Sequence, residues 1–252
     1  MSNRIDPKTY TAPDDLLEGR IILVTGAGDG IGRAVSRACA EHGATVALLG
    51  RTLSKLEAVY DEIVAAGWPR PSIAQMNLSK AHGPDYFQLA ESIEKEFGRL
   101  DGLLHNAGVL GQMSAIEQYD VGVWTDVMHV NLTVPFVMTQ VMLPLMKNSE
   151  DGSIVFTSSG VGRKGRAYWG AYAVSKFGIE GLSQVLADEI EQFPNLRANC
   201  INPGGTRTSM RASAFPGEDP LELKTPEEIL SPYLFLLGPD SHGVSGRSID
   251  AQ

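Results

Sequence analysis

Tyr172 and Lys176 stand four residues apart in the segment GAYAVSKFG, which has the composition of a helix. Residues i and i+4 lie on one face of a helix, so the ammonium of Lys176 is expected beside the phenol of Tyr172. A nearby positive charge stabilises a phenolate and lowers a pKa that is ordinarily about 10. The pair therefore predicts a tyrosine that exchanges a proton with a substrate, although Y-x-x-x-K is also frequent on solvated helix surfaces.

The glycine-rich segment TGAGDGIG (25–32) directly follows the apolar run IILVT and precedes an amphipathic helical pattern. A strand, a glycine turn and a helix N-terminus form an anion site, because free backbone N–H groups and the helix dipole point at the ligand. Glycine also lets the backbone approach a pyrophosphate closely. The segment therefore predicts a dinucleotide site, with contacts from Gly26, Gly28, Asp29, Gly30, Ile31 and Gly32.

The next strand-like run, TVALLG, ends at Gly50 and is followed by Arg51, with no carboxylate. An acidic residue at this place binds the ribose 2′-hydroxyl of NAD, whereas arginine accommodates the 2′-phosphate of NADP. Arg51 therefore predicts NADP as the cofactor, with NAD as the less favoured alternative. Asp29 in the glycine turn argues weakly in the other direction.

Several motifs occur together and in a fixed order along the chain. They are T-G-x-x-x-G-x-G from Thr25, N-A-G at 106–108, Y-x-x-x-K, and P-G-x-x-x-T at 203–208. Their order and spacing resemble those of the short-chain dehydrogenases/reductases over nearly the whole chain. More narrowly, VFTSSGVGRKGRAYWGAYAVSKFG and CINPGGTRTSMRASAFP are similar to the little-characterised bacterial YciK-type oxidoreductases, a similarity that implies NADP but no particular substrate.

The resemblance implies an oxidoreductase that interconverts a carbonyl and an alcohol by hydride transfer. Tyr172 would donate the proton in reduction and accept it in oxidation. Ser159, thirteen residues before Tyr172, would polarise and position the carbonyl oxygen. Lys176 would also bind the nicotinamide ribose, and Asn131 in VNLTVPF would hold a water that links Lys176 to solvent.

The same resemblance implies cofactor contacts beyond the glycine turn. The N-A-G segment would lie against the adenine ribose, although His105 replaces the usual first asparagine, and P-G-x-x-x-T would bind the nicotinamide carboxamide. Asn77 replaces the aspartate often found after the third strand, and GRSIDAQ replaces a D-G-G ending. The implied contacts are Asn77, Leu78, Asn106, Ala107, Gly108, Asn131, Tyr172, Lys176, Pro203, Gly204, Thr206 and Thr208.

The elements that must position these residues alternate along the sequence. Short β-branched runs are separated by longer helical patterns. This alternation predicts a single Rossmann-type, doubly wound α/β domain over 1–252, of which residues 1–19 form an N-terminal arm. We expect a mostly parallel seven-stranded sheet with helices on both faces. The predicted strands are 21–25, 45–50, 72–76, 100–106, 152–158, 196–202 and 245–250, and the predicted helices are 31–43, 53–67, 85–97, 119–147, 170–192 and 226–237.

Composition restricts the partners and the compartment. A content of 43% hydrophobic and 20% charged residues is ordinary for a globular chain, and a net charge of −9 argues against nucleic-acid or anionic-membrane binding. The polar N-terminus excludes a secretory signal, no segment is expected to approach a membrane span, and the two cysteines favour a reducing compartment. We therefore expect a cytoplasmic protein, and the sequence predicts no metal site.

The substrate is not identified by these motifs. The segment 207–225, with 167–169 and the VLGQM turn after Gly108, is predicted to form the substrate wall and lid. Arg207 and Arg211 suggest that the substrate is an anionic carbonyl compound. The alternative is that both arginines are solvated or bind the cofactor phosphate.

Two other functions and the oligomeric state remain open at this point. A non-catalytic NAD(P) sensor would keep the glycine turn without the catalytic residues. A serine hydrolase is disfavoured, because Thr157 stands where G-x-S-x-G requires glycine. The resemblance also implies a homodimer or homotetramer that associates through the helices at 119–147 and 170–192.

Overall fold

A computed structural model describes residues 5–252 and contains one seven-stranded sheet. Its strands are β1 (Ile21–Thr25), β2 (Thr45–Gly50), β3 (Ser72–Gln75), β4 (Gly102–His105), β5 (Gly152–Thr157), β6 (Leu196–Asn202) and β7 (Ser248–Asp250). The spatial order is β3-β2-β1-β4-β5-β6-β7, and every neighbouring pair is parallel. The predicted Rossmann-type sheet is confirmed.

The helices cover both faces of this sheet, as predicted. They are α1 (Gly30–Glu41), α2 (Leu53–Ala65), α3 (Gly83–Phe97), α4 (Val121–Met128), α5 (Val134–Lys147), α6 (Gly170–Glu189), α7 (Ser209–Ala214) and α8 (Leu230–Leu237). Alternate strand residues point to opposite faces. In β1, Ile22 and Val24 pack with α1, α2 and α8, whereas Ile21 and Leu23 pack with α3, α5 and α6.

The predicted N-terminal arm before β1 packs in part against the domain. Residues 1–4 lie outside the described part of the chain, but Tyr10, Leu16 and Leu17 are buried in the same cluster as α8. The Tyr10 hydroxyl donates a hydrogen bond of 2.7 Å to Asp240. These three side chains remove apolar surface from water, so residues 10–17 form part of the domain.

The predicted helix at 119–147 contains an irregularity. A π-helical turn at His129–Thr133 separates α4 from α5 and buries the side chain of Asn131. The whole stretch Val121–Lys147 is also long and apolar enough to cross a membrane, with a mean hydropathy of 1.2 over its most apolar window. Half of that window is buried inside the domain, as in the core helix of a globular protein.

The chain reverses its direction of winding between β1 and β4, which are neighbours in the sheet but not in sequence. In doubly wound sheets, ligands bind at the carboxyl ends of the strands beside such a switch point. The glycine turn follows β1, the N-A-G segment follows β4, and Ser159 lies two residues beyond β5. The topology therefore brings the predicted site residues to one edge of the sheet.

Candidate active site

A cleft of about 410 Å³ opens at this edge. Two predicted site residues, Gly32 and Asn131, do not line it. The predicted residues that do line it are Gly26, Gly28, Asp29, Gly30, Ile31, Arg51, Asn77, Leu78, Asn106, Ala107, Gly108, Ser159, Tyr172, Lys176, Pro203, Gly204, Thr206 and Thr208. One continuous cleft thus joins residues that are far apart in sequence.

The glycine turn is shaped by backbone conformations that other residues rarely adopt. Gly26 and Gly30 have φ values of +71° and +50°. At Gly32, a Cβ atom would lie 2.2 Å from the carbonyl oxygen of Gly26, so only glycine allows α1 to begin this close to β1. Gly32 therefore supports the turn from behind, while the other glycines face the cleft.

Thr25 links the ends of β1 and β4 through hydrogen bonds. Its hydroxyl accepts hydrogen bonds from the backbone N–H groups of Asn106 and Ala107, both at 3.0 Å, and donates to Leu104. The Asn106 amide donates to the Thr25 carbonyl at 3.2 Å. These bonds hold the N-A-G segment against the glycine turn and keep its polar groups satisfied where the chain leaves the sheet.

Two cationic side chains lie beside the cleft, in the residues that follow β2. Arg51 is exposed at the cleft wall, and Lys55 at the start of α2 also lines the cleft. The ammonium of Lys55 lies 2.5 Å from the Asp29 carboxylate, which lowers the pKa of that carboxyl. Lys55 thus offsets the negative charge of the glycine turn. Sequence reasoning missed this residue, whose only signal was a cation four positions after Arg51.

Tyr172, Ser159 and Lys176 meet at the opposite end of the cleft. Tyr172 and Lys176 are buried on one face of α6, and the Lys176 Nζ lies 5.6 Å from the centre of the Tyr172 ring. The Nζ donates a 2.7 Å hydrogen bond to the carbonyl oxygen of Thr157, the last residue of β5. The Ser159 side chain lies close enough to the Tyr172 phenol to lower its pKa. The predicted helical spacing therefore brings phenol and ammonium together.

The pKa of Tyr172 differs from the expectation drawn from the sequence. Burial raises it above its ordinary value, and the nearby Ser159 side chain opposes that change only in part. Burial also lowers the pKa of Lys176 to about 8, because a charged ammonium loses its hydration. Tyr172 is therefore protonated at neutral pH, whereas Lys176 loses its proton slightly above neutral pH.

Asn131 is buried between the loop after β4 and α6. Its side-chain amide donates to the carbonyl of Val109 at 2.9 Å and to the Ser175 hydroxyl at 3.1 Å, and it accepts from the Val109 N–H at 2.8 Å. Both ends of the amide are engaged, so the side chain fastens the loop after β4 to α6. The π-helical turn that carries Asn131 is what brings it to this buried position.

The two neighbouring serines are separated by their partners. Ser158 is buried, and its hydroxyl donates to Glu180 at 2.5 Å. Glu180 also accepts from Ser248 and is paired with Arg163. Ser159 is the serine that interacts with Tyr172, in agreement with the thirteen-residue interval.

The P-G-x-x-x-T segment reaches across the cleft to the glycine turn. A Cβ atom at Gly30 would lie 3.3 Å from the Thr208 methyl group. Gln252 holds this segment from the outside, because its side-chain amide donates to the carbonyls of Pro203 at 2.6 Å and Gly205 at 3.1 Å. No sequence motif indicated Gln252, which lies 49 residues from Pro203 in the chain.

The two arginines of the segment 207–225 are both engaged inside it. Arg207 donates to the backbone carbonyls of Pro220 at 2.6 Å and Leu223 at 3.0 Å. Arg211 forms two hydrogen bonds of 2.6 Å with Glu218 and stacks 3.8 Å above the Phe215 ring. Glu218 offsets the charge of Arg211, and Arg207 does not line the cleft, so the geometry does not support the anionic-substrate hypothesis.

The wall beside Tyr172 is apolar. Of the predicted wall residues, Trp169, the start of the VLGQM turn, and Met210 and Ala214 of the segment 207–225 line the cleft. Tyr168 is exposed and has a φ of +71°. Among residues 5–252, no group of three or more metal-ligating side chains is present.

The protein-family model for short chain dehydrogenases matches residues 20–219, which is most of the chain. The chain belongs to the short-chain dehydrogenase family. It is 53% identical over 243 residues to the uncharacterized oxidoreductase YciK of Escherichia coli K12, covering 96% of each chain.

Two crystal structures of other short-chain dehydrogenases are similar along their full length. One, a putative enzyme from Shigella flexneri complexed with NADP, has 52% identity and a TM-score of 0.93 over 95% of this chain and 100% of that one. The other, from Escherichia coli CFT073 complexed with NADPH, has 54% identity and a TM-score of 0.93 over 95% and 99%. Both relatives bind the cofactor that Arg51 predicts for this chain.

Proposed function

We propose that this short-chain dehydrogenase is an NADP(H)-dependent oxidoreductase that interconverts a carbonyl compound and an alcohol, with Tyr172 as the acid and base. One observation carries the proposal. A single cleft has a glycine turn and two cations at one end, and a buried tyrosine, serine and lysine at the other.

The residues at the first end fit a phosphorylated dinucleotide. The glycine turn and the start of α1 line the cleft and would hold the pyrophosphate, because a helix N-terminus presents unpaired N–H groups and the positive end of its dipole to an anion. Arg51 and Lys55 would hold the 2′-phosphate, and the end of β2 carries no acid that would repel it. The relatives crystallised with NADP and NADPH support this choice over NAD.

At the other end, the side chains supply what carbonyl reduction requires apart from hydride. NADPH, when bound, supplies the hydride that reduces the carbonyl carbon. Ser159 would donate a hydrogen bond to the carbonyl oxygen, and Tyr172 would transfer its proton to that oxygen as the C=O bond becomes C–OH. Lys176, with a pKa of about 8, would stabilise the phenolate that remains until it regains a proton from solvent. A Tyr172 with a raised pKa begins in the protonated state, which favours reduction.

Location and assembly are part of the proposal. Cys39 and Cys200 are buried and free, as in a reducing compartment such as the cytoplasm. The exposed apolar side chains of Phe136, Phe177 and Val185 on α5 and α6 are suited to contact a second copy of the chain, as in a homodimer or homotetramer.

The test is the oxidation of NADPH by wild-type protein with a panel of aldehydes and ketones, with Tyr172→Phe as the matched control. Removing the hydroxyl while keeping the ring should lower kcat by about 10²- to 10⁴-fold, the usual contribution of a positioned proton donor. NADPH affinity, measured by fluorescence titration, should stay unchanged. Full turnover by Tyr172→Phe would contradict the mechanism, and NADPH binding without any turnover would favour a sensor.

A further inference from the structure

The substrate end of the cleft is formed by a cluster of apolar side chains around Trp169. The Trp169 ring lies 5.6 Å from the Tyr172 ring and 5.8 Å from that of Phe215, measured between centroids. The same cluster includes residues that line the cleft next to Tyr172, namely Val109, Leu110, Met210 and Ala214. A substituent on a carbonyl bound at Ser159 and Tyr172 must contact these groups.

The charges that line the cleft are unavailable to such a substituent. The end of the cleft proposed to hold the cofactor phosphates contains Asp29, Arg51 and Lys55. Lys176 is buried beneath Tyr172. Arg211 is the remaining charged residue that lines the cleft, and its guanidinium is bound to both carboxylate oxygens of Glu218. An anion placed here would lose its hydration without gaining a free cation.

From these two observations we propose that the substrate is a neutral aldehyde or ketone with an apolar, planar substituent such as an aryl ring, bound in the cleft against Trp169 and Met210. The inference rests on the proposed function. Burial of an aryl ring against Trp169 and Met210 supplies binding free energy in proportion to the apolar area removed from water, and aromatic rings gain further from offset or edge contacts. The Glu218–Arg211 pair excludes anions by occupying the one cation within reach.

A matched set of three carbonyl compounds tests this inference. Ethyl benzoylformate is neutral and carries a phenyl ring, benzoylformate keeps the ring but is an anion, and ethyl pyruvate is neutral with a methyl group in place of the ring. Their affinities for the protein saturated with NADP⁺ are measured by calorimetry. Ethyl benzoylformate should bind at least about tenfold more tightly than either of the others, because a pocket that fits the ring gains at least this much.

Two variants identify the residues responsible. Trp169→Ala should weaken ethyl benzoylformate by about tenfold or more and leave ethyl pyruvate nearly unchanged. Glu218→Gln releases the Arg211 guanidinium and should strengthen benzoylformate several-fold relative to its ester. Glu222→Gln removes an exposed carboxylate from the same segment and is the charge-matched control, with no expected change.

Equal or tighter binding of benzoylformate or ethyl pyruvate, or no binding of ethyl benzoylformate at millimolar concentration, would overturn the inference. Turnover with NADPH is measured separately on the same compounds. Preferred binding of the neutral aryl ester without reduction would leave the inference standing and contradict the proposed function. Reduction of the small or charged compounds in preference to the ester would do the reverse.

Discussion

The cofactor end and the substrate end of the cleft are held in place by different parts of the chain. At the cofactor end, backbone groups after β1 and β4 are fixed by the sheet itself and by Thr25. At the substrate end, side chains of Trp169 and α7 form the wall, and Arg207 and Arg211 hold the covering segment together. A backbone site requires particular residues at particular spacings, whereas a side-chain wall requires only apolar volume.

Ser159→Ala, at the substrate end, should lower kcat more than any change at the cofactor end. Loss of a hydrogen-bond donor to a developing alkoxide costs about 10²- to 10³-fold in kcat. Ser158→Ala is the matched control, because its hydroxyl is bound to Glu180 and should affect the free energy of unfolding rather than kcat. Steady-state kinetics and urea unfolding of both variants make the comparison. A larger loss of kcat in Ser158→Ala would reverse the assignment of the two serines.

Arg51→Ala tests the cofactor end alone. Loss of a charge-assisted contact to the 2′-phosphate should weaken NADPH by about 10- to 100-fold, and NADH affinity should not change because NADH lacks that phosphate. Equal losses of affinity for NADPH and NADH would show that Arg51 does not bind the 2′-phosphate.

The Lys55–Asp29 pair provides an internal check on that prediction. Lys55→Met leaves the Asp29 carboxylate unpaired at the cleft and should weaken NADPH, and the second change Asp29→Asn should restore part of the affinity. No restoration would mean that Lys55 does not act by offsetting this charge.

Lys176 lies where the two ends join, and its burial predicts a dependence of stability on pH. Its pKa is about 8 in the folded protein and ordinarily 10.5, so the unfolded chain binds more protons between these values. Stability therefore rises with pH across this window, as the cost of burying the ammonium disappears. Between pH 7.5 and 9.5, wild type should gain about 2 kcal/mol in urea unfolding relative to Lys176→Met. A parallel response of both proteins would mean that Lys176 is not buried as an ammonium.

Gln252→Glu should have the smallest effect. The change keeps the shape of the side chain but removes the amide donors that hold the carbonyls of Pro203 and Gly205. Each lost hydrogen bond costs about 0.5–1.5 kcal/mol, and because these bonds hold the segment rather than the cofactor, the cost of about one bond should reach NADPH. The KM for NADPH should therefore rise about 3- to 10-fold with little change in kcat. A fall in kcat at unchanged KM would place the effect on the substrate end instead.

The contrast between the two ends also explains what the sequence could predict. The parallel sheet with helices on both faces follows from βαβ alternation, and the glycine turn follows from positions such as Gly26 and Gly32, where a side chain would be strained. The pairing of Tyr172 with Lys176 follows from helical periodicity alone. These features depend on local spacing, which is visible in one chain without coordinates.

What the sequence did not predict depends on contacts between distant segments. Gln252 against Pro203, Tyr10 against Asp240, and Asn131 against Val109 have no local signature. The raised pKa of Tyr172 likewise reflects burial, which spacing does not reveal. Arg211 resembles an anion site only as an isolated arginine, because Glu218, seven residues away in sequence, offsets its charge in the structure.

Transfer of deuterium from NADPH labelled at C4 tests the central claim most directly. The carbonyl compounds that consume NADPH are incubated with the labelled cofactor, and the products are analysed by mass spectrometry. The account predicts an alcohol with one deuterium on the carbinol carbon from wild type, formed at least about 100-fold more slowly by Tyr172→Phe. An unlabelled alcohol, or equal rates for the two proteins, would contradict it.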